Sequence, residues 1–294
     1  TTANDLIDAT LDWVLGGEDE NVNVLASSAT ASDTTLTFSY EMDGIVGGSM
    51  IAIGLEVIRV IQTNPTSKTA TVLRGQRGSS AASHSSGAVV QVSPRFSRWS
   101  VFRALNDDID SLSGHGLFRI ATVDVTYNAS VMSYDLTGVT NIDQIYSVRY
   151  EVPGATKEWP LLRPQDYRME RHADTGDFPS GFSLTLYREA YTGKSVRVSY
   201  KAPFARMTAA SDDVQAVSGL PATANDLPPL GAAIRLVSGH EAGRVAYEKQ
   251  PDTRRAQEVP VGASLQTASA WTRLRQQRID DELRRLSRRY PVRR

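Results

Sequence analysis

In "NDLIDATLDWVLGG", Leu6, Ile7, Leu11, Val14 and Leu15 recur at helical spacings. This predicts a short amphipathic helix with Asn4 or Asp5 as N-cap and Gly16-Gly17 as its stop. A helix of that length is marginal alone, so its apolar face must pack on its own domain or on a neighbouring subunit. From Val22 to Val92 the pattern changes to short β segments: "TLTFSY", "SMIAIG", "EVIRVIQ", "TATVLRG" and "AVVQV", rich in Val, Ile and Thr. Asn64-Pro65 followed by Ser67-Lys68 marks a hairpin, and five such strands predict a small barrel. In "RFSRWSVFRALNDDIDSLSG", Phe96, Trp99, Phe102, Leu105, Ile109 and Leu112 return to spacings of three and four. That predicts a connector helix ending at Gly114.

Strand patterns resume from Leu117 to Phe204, where Val196, Val198 and Tyr200 alternate with Arg197, Ser199 and Lys201. Turn-bounded segments of this kind predict an antiparallel sandwich. "TAASDDVQAVSGLPATANDLPPLG" is rich in Ala, Ser, Pro and Asp and is read as a linker with only occasional contacts. Two helical patterns follow, "LGAAIRLVSGHEAGRVAY" and "ASLQTASAWTRLRQQRIDDELRRLSRRY". In the second, Ile279, Leu283, Leu286 and Tyr290 form one stripe and arginines crowd the other faces. The expected class is mainly β with peripheral helices, α+β. Its expected parts are an N-terminal helix (1–20), a small β-barrel module (21–95), a connector helix (96–115), a β-sandwich (116–206), a linker (207–230) and a helical basic C-terminal extension (231–294).

A length of 294 residues suits about two ordinary cores. Ordinary apolar and charged fractions argue against wholesale disorder, and the longest nearly uncharged apolar run, Gly44 to Leu55, is too short to span a membrane. Because the first turn already carries acids, no Sec-type leader is expected. Cysteine is absent, which removes disulfides, thiolate nucleophiles and Cys-type zinc sites. Residues 273 to 294 hold nine arginines against Asp280, Asp281 and Glu282, a balance of +6, while the total is −1. The body is therefore acidic, at −7, and the end basic.

Candidate chemistry is sparse. "RGQRG" fits neither a Walker loop nor a dinucleotide fingerprint, since a serine-rich loop and a strand follow it rather than a helix, and its glycines read as turn geometry. His84, His115, His172 and His240 lie in separate segments without metal-ligand spacing. "NDDID" reads as a solvated helix face, and no serine sits in a G-x-S-x-G frame. No catalytic residue, metal or cofactor is expected. The arginine-rich helix stands out: pairs Asp280–Arg284 and Asp281–Arg285 would brace it at i, i+4. Trp271, Leu274, Ile279, Leu283 and Leu286 would pack on a partner, and Arg284, Arg285, Arg288 and Arg289 would meet an acidic protein surface or DNA phosphates.

The segment "GLEVIRVIQTNPTSKTATVLRGQRGSSAASHSSGAVVQV" resembles a recurring segment of tailed-phage virion proteins, with Gly54, Glu56, Val60, Arg74, Gly75, Gly78, His84, Gly87, Ala88 and Val90 in its places. The order of parts is similar to head-to-tail adaptor proteins of long-tailed phages. That resemblance implies a ring, a dodecamer, between the portal protein and a tail-side connector or tail terminator protein, with non-specific contact to exiting DNA and no membrane. It implies a place at the virion's head-tail junction after assembly in the bacterial host cytoplasm, and no catalysis. At this length and β content, tail, baseplate or head-decoration roles stay open. In those, Tyr127, Tyr134, Tyr146, Tyr150, Trp159, Tyr187 and Tyr191 of the sandwich would read glycans. A soluble DNA-binding protein acting through its arginines is the third reading.

Overall fold

Thr2, rather than Asn4 or Asp5, caps the first helix. Its hydroxyl accepts from the Asp5 N–H at 3.3 Å while the Asp5 carboxylate accepts from the Thr2 N–H at 2.7 Å, a reciprocal capping box. The helix, α1 (Ala3–Leu15), stops at Gly16 in the left-handed conformation. The computed structural model describes residues 1–18, 20–154, 158–188, 190–247 and 263–291, with side chains left out over 240–265. It is mixed α+β, about 31% helix and 28% strand. Two compact units make up the chain: Thr1–Ser111 with Ala205–Asp280, and Leu112–Phe204 with Asp281–Arg294.

In the first unit, six strands form one antiparallel sheet: β1 (Val22–Val24), β2 (Thr35–Thr37), β3 (Met50–Ile53), β4 (Glu56–Asn64), β5 (Thr69–Leu73) and β6 (Val89–Val92), in the order β1-β6-β3-β4-β5-β2. The predicted hairpin joins β4 to β5, with Lys68 at φ 53°. The sheet curls into a half-barrel, and its two outer strands meet at one bridge, Leu25 to Phe38. Inward residues such as Leu36, Phe38, Ile51, Ile58, Val60 and Val72 are almost wholly buried. Each such buried large apolar side chain contributes about 1.5–3 kcal/mol. Val22–Val24, outside the five expected segments, supplies the sixth strand through its pairing with β6.

The helices of this unit are α1, most of α2 (Arg98–Gly114), α3 (Val214–Ser218), α4 (Leu227–Tyr247) and the first part of α5 (Ala263–Arg289). Leu6, Ile7 and Leu11 of α1 are buried, and α1 packs on α4, so the helix spends its apolar face within its own unit. Residues 207–230, expected as a loose linker, are well packed: Met207, Val214, Leu220 and Leu227 are 0–3% exposed. The amide of Asn106 brackets Met207, donating to its carbonyl at 3.1 Å and accepting from its N–H at 2.8 Å. Composition misled here because a few well-spaced apolar residues among small polar ones suffice to tie a segment down.

The second unit holds two three-stranded antiparallel sheets built from β7 (Arg119–Thr126), β8 (Ser133–Asp135), β9 (Gln144–Tyr150), β10 (Tyr167–Arg171), β11 (Phe182–Leu186) and β12 (Ser195–Ala202). Their orders are β10-β11-β8 and β7-β12-β9. The alternation in β12 is realised residue by residue, with Val196, Val198, Tyr200 and Ala202 buried. Tyr127, Tyr134, Leu136, Val148, Leu184 and Val198 share one core. Among the described residues no helix is long and apolar enough to cross a membrane.

Candidate functional site

Three places hold chemistry. The first is the "RGQRG" loop. Gly75 takes φ 61°, where a side chain would press on Ser79 O and Ala81 N at 3.2 Å, so glycine is required for the chain to turn there. That turn points Arg74 inward at Glu56, the first residue of β4. The guanidinium holds the carboxylate with two hydrogen bonds, Nε to Oε1 at 2.8 Å and a terminal nitrogen to Oε2 at 2.7 Å. The backbone N–H groups of Gly75 and Ala82 add donors at 3.1 and 3.2 Å, and His84 Nε2 lies 2.7 Å from Oε2. Because a carboxylate only accepts, that ring nitrogen is the protonated one. Arg74 also donates to the carbonyls of Thr30, Asp33 and Ala82. Burial pushes the Glu56 carboxyl up, but the hydrogen bonds from Arg74, His84, Ala82 and Gly75 outweigh it and hold the group below its usual range. The loop is thus latched to the half-barrel, and Trp99 of α2 donates to the Arg77 carbonyl at 3.1 Å.

The second place lies on α2. Of the "NDDID" residues expected on a solvated face, Asn106 and Asp108 are buried, at 5% and 1% exposure, while Asp110 is exposed and pairs with Arg206 at 2.8 Å. Asp108 is three residues after Leu105 and four before Leu112, squarely on the apolar stripe. Arg275 of α5 reaches its Oδ1 at 2.8 Å, and Arg235 of α4 lies 3.8 Å away. Among the described residues its Oδ2 has no hydrogen-bond partner, and neither has Arg275 Nε. Gly231 of α4 makes room for the carboxylate, since a β-carbon there would run into it. Burial pushes the Asp108 carboxyl up, and Arg275, Arg235 and Ser111 offset this only in part.

The third place is α5. Trp271 is half-buried and meets Trp13 edge-on, centroids 5.4 Å apart. Leu274 is 43% exposed, in a hollow beside Trp13. Ile279 and Leu286, expected to face a partner, are instead buried at 0% and 9% exposure, and Leu283 is half-buried over Gly116. Arg284, Arg285, Arg288 and Arg289 line one exposed hollow with Asp281. The ion pairs are Asp281–Arg284 at 3.7 Å and Glu282–Arg285 at 3.2 Å, both i, i+3, in place of the expected i, i+4 pairs; Asp280 instead accepts from Gln276. Arg288 and Arg289 occupy the last turn, where free carbonyls favour cations.

Of the sandwich aromatics, Tyr127 and Tyr134 belong to the core, Trp159 lies under the Arg197 guanidinium at 4.4 Å, and Tyr187 and Tyr191 are exposed. Tyr146 packs edge-on against Tyr290, and Tyr150 is half-buried beside Tyr191. His84 joins the latch, His115 and His172 are exposed, and the His240 side chain lies outside the described ones. Among the described residues no cluster of three or more His, Asp or Glu is arranged to hold a metal ion. No protein-family model matches the chain, and no curated protein is significantly similar to it.

Proposed function

We propose that the chain is a structural virion protein that joins a phage head to its tail, as a ring-forming adaptor between the portal and a tail-side protein, and that it works through interfaces rather than through a reaction. The observation that carries this reading is the Glu56 latch. The positions that resemble a segment of virion proteins, Glu56, Arg74, Gly75 and His84, are spent on one another inside the half-barrel. They serve shape, which suits a building block. The charge offered to partners is the arginine ridge of α5, whose four exposed arginines outnumber their acidic neighbours Asp281 and Glu282 and meet an acidic protein surface or passing DNA.

Quantitative mass spectrometry of purified particles, with the major capsid protein as internal standard, tests the reading. About twelve copies per particle is the expected result, the number that the resemblance to head-to-tail adaptors implies for one cyclic ring. Hundreds of copies would make the protein a decoration or tube component, and absence from the particle would overturn the virion assignment.

A further inference from the structure

An apolar hollow of about 280 Å³ opens on the first unit, walled by Leu6, Ala9 and Trp13 of α1, Leu230 of α4 and Leu274 of α5. Trp13 and Leu274 are 42% and 43% exposed. The charged groups at its mouth, Arg278 and Asp226, are bound to each other at 2.7 and 3.0 Å, so neither is held in reserve for a ligand. Beside the hollow, the solvent side of α1 carries Asp5, Asp8 and Asp12 at i, i+3 and i+7, all exposed, and the helix has no basic residue. Asp5 belongs to the capping box and Asp8 pairs with Arg98, whereas Asp12 has no ion partner among the described residues.

The opposite charge is carried by the other unit. Arg284, Arg285, Arg288 and Arg289 line an exposed hollow and the helix gives way to an exposed Pro291. At about 1.5 Å rise per residue, the acidic stripe and the arginine ridge have similar lengths, about 10 and 8 Å.

We propose that the hollow and its acidic border receive residues 284–291 of a second copy of this chain. The inference rests on the ring reading and supplies what a cyclic assembly needs, two different complementary patches on each subunit. DNA or an acidic protein would satisfy the ridge but leave the acidic stripe and the hollow uncovered; a second copy covers all three together. Exposed ion pairs are individually weak, so they set partner and register, while the aliphatic stems of the arginines and the exposed Pro291 cover Trp13 and Leu274.

Native mass spectrometry and sedimentation of the full chain at low salt test this with Asp12→Arg, Arg288→Glu, the pair of both, and Leu274→Asp, each checked by circular dichroism for native helix and strand content. The expected result is assembly by the unaltered chain, a weakening of about tenfold or more in each single variant, and recovery in the charge-swapped pair. Assembly that none of the variants alters would overturn this inference and leave the ring reading standing. A chain that stays monomeric at all concentrations would overturn both. Loss confined to Arg288→Glu, accompanied by loss of binding to a short DNA duplex, would assign the ridge to nucleic acid and overturn the docking of a second copy.

Discussion

Glu56 and Asp108 are both buried carboxylates of the first unit, each gripped by an arginine, yet they titrate in opposite directions. The difference lies in the donors. Glu56 takes five hydrogen bonds on two oxygens, and Asp108 leaves Oδ2 bare. Desolvation acts on both, and only a full donor set outweighs it. Proximity of an arginine therefore does not decide whether a buried acid is comfortable as an anion; the count of aimed N–H groups does.

Removing each arginine separates the two carboxylates most. Arg74→Ala strands an ionised carboxylate inside the half-barrel and is expected to cost about 3–5 kcal/mol at pH 7, read by urea unfolding followed through tryptophan fluorescence. A loss under about 1 kcal/mol would mean that Glu56 does not depend on that guanidinium. Arg275→Ala is expected to cost less, about 1–3 kcal/mol, because burial pushes the Asp108 carboxyl up, so taking up a proton relieves the loss of its partner more readily than at Glu56. An equal or larger loss than for Arg74→Ala would undo the comparison.

The two carboxylates also differ in how stability depends on pH. Glu56 has a folded pKa below its unfolded one, so its contribution is complete above the unfolded value near 4.5 and is lost as pH falls through the folded value. Asp108 has a folded pKa above its unfolded value near 3.8, so its ionisation costs stability at neutral pH and acidification through that window relieves the cost. Relative to Asp108→Asn, the unaltered chain should gain stability on mild acidification, by at most about 1.4 kcal/mol per pH unit, and both should then fall together as Glu56 protonates. A difference between the two proteins that is flat from pH 7 to pH 4 would contradict the assignment. The smallest effect is expected at Arg206→Ala, whose partners Asp107 and Asp110 face solvent: under about 1 kcal/mol, reduced further by salt. A larger cost would show that exposure is not what separates these acids from Glu56 and Asp108.

Much of the fold was legible because it follows from local periodicity. The alternation of Val196, Val198 and Tyr200 became the buried face of β12, and the spacing of Leu105, Ile109 and Leu112 became the buried face of α2. Residues 207–230 are tied down despite their small polar composition, because a few apolar anchors such as Met207, Val214 and Leu220 suffice. Asp108 lies on the buried face rather than the solvent face expected for an acid, and its place between Leu105 and Leu112 is the signal in the sequence. The arginine ridge was legible as a charge imbalance. Its apolar companions were not, because Ile279 and Leu286 share a helix with Leu274 and differ from it only in what lies opposite.

Composition and spacing by themselves determined the α+β class, the short amphipathic first helix, the strand-rich segments and the basic helix, because those depend on neighbours within a few residues. Only the tertiary structure decided that Glu56 meets Arg74 and His84 across 18 and 28 positions, that Asp108 meets Arg275 across 167, and that Trp13 meets Trp271. Those pairings require the chain to return on itself, and the free energy of a buried charge is set by the donors it finds there, which no local pattern encodes.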